Sequence, residues 1–97
     1  MYAVIFRAQV AQLDEEYSRM AARLRELALS EYGCLEFAGL TEGDQEITIS
    51  YWESESQIKA WKQDVEHLLA QSLGRSSWYR RYKVQVVEIK REYSFGD

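Results

Sequence analysis

CLEFAGLTEGDQEITISYW, residues 34–52, is the stretch that decides the fold. Two strand-like runs, residues 34–40 and 45–52, are rich in aromatic and β-branched side chains, which pack well on a pleated surface. Between them stands Thr41-Glu42-Gly43-Asp44, a polar loop with glycine at its centre, so the whole stretch reads as a β-hairpin. On its N-terminal side Asp14 can cap a helix, and Glu15 and Glu16 put negative charge at the positive end of the helix dipole. Apolar positions at Leu13, Tyr17, Met20, Leu24 and Leu27 or Ala28 follow the helical period, and Gly33 marks the exit. On the C-terminal side Ser54-Glu55-Ser56-Gln57 fits the capping box, in which a hydroxyl and a Gln side chain satisfy each other's free backbone donors. The apolar stripe that follows is Ile58, Trp61, Val65, Leu68 and Leu69. Asp64 can recap the chain midway, so a kink or two short helices are expected across Gln63 and Asp64, and Gly74 closes the segment. The outermost runs alternate with period two. Residues 2–9 place Tyr2, Val4 and Phe6 on one face, and residues 78–93 read as one long strand with a bulge or twist near Val86, where the apolar phase changes.

The order is therefore βαββαβ over a single domain, residues 1–97. With right-handed crossovers it gives an α+β ferredoxin-like sandwich, four antiparallel strands with both helices on one face. The other face then needs a cover. A last strand of about 15 residues at roughly 3.3 Å each would span about 50 Å, against a sphere about 32 Å across for a chain of this length. A two-fold homodimer is expected, a dimeric α/β barrel in which the sheet faces meet and the long C-terminal strands cross to the partner.

Composition narrows the chemistry. Of 97 residues, 46% are apolar and 29% charged, with one Cys (Cys34), one His (His67), no Pro and no Asn. One thiol excludes an intrachain disulfide, and one Cys plus one His cannot make a structural zinc site, so no metal is expected. No apolar run approaches the roughly 20 residues that cross a bilayer, and no signal segment opens the chain, so no membrane partner and a cytoplasmic location are expected. A net charge of −4 argues against nucleic acid as a partner. The charge is uneven: Arg75, Arg80, Arg81, Lys83, Lys90 and Arg91 face only Glu88 between residues 75 and 91. An edge strand commonly carries such charges to prevent sheet-to-sheet aggregation, and that structural reading is preferred here.

Tyr51-Trp52-Glu53-Ser54, Ala60-Trp61, His67, Gly74-Arg75, Trp78-Tyr79 and Tyr82, ending in an alternating basic strand, together resemble the antibiotic biosynthesis monooxygenase domain family. The resemblance implies a dimeric α/β barrel of two ferredoxin-like protomers. It also implies one of several activities: cofactor-independent oxidation of polycyclic phenols and quinols, haem degradation, or none assigned. The family's haem-degrading members use an Asn, a Trp and a His, and some phenol oxidisers use an Asn and a Trp. This chain has no Asn, which disfavours haem degradation; Gln9, Gln45 or Gln85 could replace the missing amide chemically.

The candidate residues follow. His67 is the one side chain with an ordinary pKa near neutrality and could take a phenolic proton, giving an anion that reacts with O₂. On a straight helix it would stand about 120° from Trp61, off the apolar stripe, and a recap at Asp64 would change that phase. Trp61, Trp78, Tyr51 and Tyr82 could bind a flat aromatic substrate, with Trp52 and Tyr79 as further wall candidates; their alternative role is core and cross-strand packing. Cys34 reads as a small buried residue and Glu36 as the polar side of a strand. The leading expectation is a cofactor-independent monooxygenase acting on a phenolic or quinol molecule in an apolar pocket. The alternatives are a non-catalytic small-molecule-binding dimer of the same fold, and a haem-binding protein using His67.

Overall fold

The computed structural model describes every residue except Leu13, and every side chain except those of Leu13, Val65 and Ser76. The stripe positions assigned above to Leu13 and Val65 fall outside what is described. The elements run β1 (Tyr2–Val10), α1 (Glu15–Ser30), β2 (Glu36–Glu42), β3 (Gln45–Trp52), α2 (Glu55–Lys62), α3 (Val65–Leu73), a π turn (Gly74–Trp78) and β4 (Tyr79–Glu88). The strands form one antiparallel sheet in the order β2-β3-β1-β4, which is the ferredoxin-like arrangement expected.

Local chemistry sets the boundaries. The Asp14 carboxylate accepts from Tyr17 N at 2.8 Å and opens α1. Ser54 Oγ accepts from Gln57 N while Gln57 Oε1 accepts from Ser54 N, so the capping box is complete. Gly33, at φ +83°, lies against that box: a Cβ there would stand 2.6 Å from Gln57 Nε2. The absence of a side chain lets the end of α1 approach the start of α2. β2 starts two residues later than expected because Cys34 N still donates to Ala28 O, tying the chain to the helix it has just left.

Two expectations about the last strand are corrected. β4 ends at Glu88, where its partner β1 also runs out: Tyr2 pairs with Glu88, and Ile89 N makes the closing bond to Met1 O at 2.9 Å. Ten residues span about 33 Å, which fits the 37 Å longest dimension of the protomer. Strand length therefore no longer argues for crossing to a partner. The register irregularity lies between Gln9 and Val10, beside the π turn, and not near Val86, which pairs regularly with Val4.

The helices cover the face presenting Val4, Ser50 and Trp52. Val4, Leu27, Ala28, Cys34, Trp52, Ile58 and Trp61 form the core, with Trp52 fully buried and its Nε1 donating to the buried Ser50 Oγ at 2.9 Å. The second helical segment breaks at Gln63 and Asp64 as expected. Beyond the break Leu68 and Leu69 are 51% and 53% exposed, so they leave the stripe predicted for them. A straight helix would have kept them in phase with Ile58 and Trp61; the recap at Asp64 rotates α3, and Ala70 is buried instead. Among the described residues no helix is long and apolar enough to cross a membrane.

Candidate active site

A cavity of about 150 Å³ lies between the sheet and the helices, running from the edge of the Trp52 core, at Val4, Ser50 and Trp61, towards Glu46 and Tyr79. Its aromatic wall follows from strand alternation and the π turn. Phe6 of β1 meets Tyr79 and Tyr82 of β4 at 5.3 and 5.6 Å between ring centroids. Tyr17, one turn into α1, sets its ring edge-on to Trp78 at 5.3 Å and to Tyr79 at 5.9 Å. The wide π turn delivers Trp78 and Tyr79 to this point, and Ala11 N and Gln12 N both bond to Trp78 O to hold it. Gly74 is required by close approach, since a Cβ there would stand 3.0 Å from Tyr79 Cδ2. Arg75 Nε donates to Tyr82 Oη at 2.8 Å, so one member of the basic segment braces the cavity wall. Arg81 bonds to Gln9 across the neighbouring strand.

The break before α3 places the histidine. Asp64 caps α3 by accepting from Glu66 N at 2.8 Å, and its second oxygen accepts from the Tyr32 hydroxyl at 2.6 Å, which holds its carboxyl below the usual range. The resulting change of phase brings the His67 ring edge-on to Trp61, 4.5 Å between centroids. Trp61 is itself fixed by donation of Nε1 to Leu24 O at 3.1 Å and by contact with Trp52 and Phe37. Burial pushes the His67 pKa down, so the imidazole is neutral at physiological pH. His67 Nδ1 is buried and has no hydrogen-bond partner.

A second polar group lies farther along the same cavity. Glu46 of β3 lines it with Oε2 buried and unpartnered. The nearby Tyr17 and Tyr79 hydroxyls are held protonated: burial pushes both phenols far up, and the Glu46 carboxylate adds to this. Among the described residues, Glu46 Oε2 and His67 Nδ1 are the buried side-chain polar atoms that lack a partner, and both residues line this cavity. A buried acceptor left unpaired costs about 1–3 kcal/mol, so a ligand that supplies donors here gains what the protein alone forgoes.

Of the residues singled out in the sequence, Trp61, His67, Trp78 and Tyr82 line the cavity together with Tyr79. Tyr51 does not: it alternates with Ser50 and Trp52, pairs with Ala3 and Glu36, and belongs to the opposite sheet face. As a substrate contact of this cavity Tyr51 is set aside. Trp52 is sealed in the core, and Glu36 is exposed. Gln9, Gln45 and Gln85 are absent from the lining, whereas Gln71, one helical turn beyond His67, brings an amide to it. Glu46, Tyr17 and Gln71 were missed. Glu46 could have been found by counting back in twos from Trp52, since residues 50, 48 and 46 share its face. Cys34 is buried with its pKa pushed up by burial and its Sγ against Glu36 O, an inert setting. Among the described residues no cluster of three or more His, Cys, Asp or Glu could hold a metal ion.

Comparison with known proteins bears on this site. No family model matches the chain. A Bacillus subtilis (strain 168) protein, "Uncharacterized protein YqjZ", is 38% identical over 97 residues, covering 99% of this chain and 85% of the relative. Among solved structures, SnoaB, a cofactor-independent oxygenase from Streptomyces nogalater, superposes with a TM-score of 0.77 at 14% identity, over 94% of each chain. An antibiotic biosynthesis monooxygenase gives 0.75 at 13% identity, over 94% of this chain and all of the other. Rv0793 from Mycobacterium tuberculosis gives 0.72 at 18%, over 96% and 98%. At these identities the solved structures establish the fold, and with it the resemblance expected from the sequence.

Proposed function

Because this chain belongs to the family of the Bacillus subtilis protein YqjZ and has the antibiotic biosynthesis monooxygenase fold, we propose that it is a cofactor-independent monooxygenase acting on a phenolic or quinol molecule. The observation that carries this reading is the pair of buried, unpartnered polar atoms in an otherwise aromatic cavity. A cavity of about 150 Å³ accommodates a single benzene-sized ring. Trp61, Trp78 and Tyr82 pack on that ring, and the neutral His67 imidazole takes the phenolic proton, leaving an electron-rich anion against an aromatic wall. The anion reduces O₂: one oxygen atom enters the ring and the other leaves as water. The further electrons come from oxidation of the ring to the quinone level, so the reaction needs no outside reductant. SnoaB, by its description a cofactor-independent oxygenase, lends the fold a precedent for such chemistry.

Oxygen uptake by purified protein given a panel of hydroquinones tests the proposal. Uptake that falls at least tenfold in His67→Ala and Trp61→Ala supports the mechanism; no uptake, or uptake indifferent to both substitutions, removes it. A ligand retained in native mass spectra without turnover would favour the non-catalytic binding alternative. The haem-binding alternative predicts a Soret band on haem titration that is lost in His67→Ala, and no such band would remove it.

The open sheet face carries Leu40, Ile47 and Val87 in exposed positions. We infer that a second copy covers it, giving a homodimer through the sheet faces. Sedimentation at micromolar concentration should give twice the 11.4 kDa of the chain; a monomer would rule the dimer out. The single free thiol, buried and unpaired, fits a protein of the reducing cytoplasm.

A further inference from the structure

Gln71 lines the cavity without a part in the chemistry above. It follows His67 by four residues on α3, so the two side chains stand one above the other, about 5–6 Å apart at Cβ. His67 Nδ1 is buried without a partner. The Gln71 side chain is half-buried, and among the described residues no group bonds to its amide. Elsewhere in the lining polar groups are committed to one another: the Tyr17 and Tyr79 hydroxyls are engaged by Glu46, Arg75 donates to Tyr82 and Trp52 to Ser50. α3 therefore presents the cavity with one free acceptor and, a single turn farther on, one free amide.

We infer that His67 and Gln71 read two adjacent oxygens on one ring. One hydroxyl donates to the His67 imidazole, and the oxygen on the neighbouring carbon accepts from Gln71 Nε2. The inference rests on the phenolic reading of the cavity and deepens it: the substrate class is a phenol with a second oxygen in the ortho position, of which catechol is the simplest. Hydrogen bonds leaving neighbouring carbons run side by side, so they meet partners one helical turn apart. The oxygens of hydroquinone point away from each other, and a ring held at His67 then carries its second oxygen away from α3. Phenol has no second oxygen to offer. Gln71 sets specificity, while the proton still goes to His67.

Calorimetric titration under nitrogen, where no oxygenation occurs, tests this with catechol, hydroquinone and phenol as probes. The wild-type protein is expected to bind catechol about fivefold or more tightly than either of the others, the gain of one neutral hydrogen bond. In Gln71→Met, of similar length but without an amide, that preference should fall below about twofold while phenol affinity stays within about twofold. Gln71→Ala, which suits a helix, should do the same and is read instead if circular dichroism shows the methionine variant misfolded. His67→Ala should weaken all three probes. A catechol preference that is absent from the wild type, or that survives in the Gln71 variants, overturns the pairing. So does one that vanishes only in Lys62→Met, since Lys62 is half-buried and also lines the cavity. Phenol binding that depends on His67 then leaves the wider reading of the cavity intact. Failure of every probe to bind the wild-type protein, or binding indifferent to His67→Ala, overturns both.

Discussion

The two ends of the helix-covered sheet face are built from the same residue types and behave oppositely. At one end Trp52, Ile58, Leu27 and Ala28 are buried together, and the Trp52 indole nitrogen is satisfied by Ser50. At the other, Phe6, Tyr17, Trp78, Tyr79 and Tyr82 surround a hollow with two acceptors left unpaired. Six residues of β3, about 20 Å, separate Trp52 from Glu46. The difference comes from the helices. α2 buries Ile58 and Trp61 in the core, whereas beyond the recap at Asp64 α3 turns Leu68 and Leu69 outward and brings His67, Ala70 and Gln71 to the cavity in their place. Aromatic content alone therefore says little about whether a region is core or site; what decides is whether its polar atoms are satisfied.

The sharpest break in that comparison is Trp52→Ala. Emptying the sealed end should cost about 3–5 kcal/mol, read as a lower denaturation midpoint in urea. At the hollow end Gly74→Ala forces a Cβ to within 3.0 Å of the Tyr79 ring; displacement of that ring should cost about 1–3 kcal/mol and weaken ring-ligand binding disproportionately. Ser54→Ala removes one half of the capping box over the sealed end and should cost about 1 kcal/mol with ligand affinity unchanged. Such a change of stability without a change of binding would show the two ends to be separable.

The smallest effect is one of pH. His67 has a lower pKa folded than unfolded. Above the ordinary histidine value of about 6.5 both states are neutral and the group costs nothing. As pH falls below that value the unfolded state takes up its proton first, so stability is lost until pH passes the folded pKa. Thermal melts between pH 7 and 5 should therefore slope more steeply for wild type than for His67→Gln; equal slopes would place His67 in water and out of the cavity.

Pattern and capping chemistry made the element order legible. The hairpin around Gly43, the caps at Asp14 and Ser54 and the break at Asp64 are all local signals, and each appears where the residues say. Less legible was anything that depends on a neighbour. β4 stops at Glu88, level with Tyr2 at the start of β1, although residues 89–93 look no less strand-like. Four of the five residues named for the site line the cavity, and Tyr51 does not, because one step along a strand reverses the face. Glu46 was passed over as an ordinary polar residue of a hairpin strand. Only the sheet register, which sets Glu46 opposite Ala8 in the same alternating row as Ser50 and Trp52, shows that a carboxylate stands where an apolar side chain would be expected.

The edge-on contact between Trp61 and His67 also gives the protein an optical readout of its own site. An imidazolium quenches indole emission far more than a neutral imidazole does, and a bound ring between these side chains would alter the same signal. Trp78 lines the same cavity, so indole emission reports its occupancy from two positions, while Trp61, edge-on to His67, senses the charge of the imidazole, and titration and binding can both be followed by light without any label.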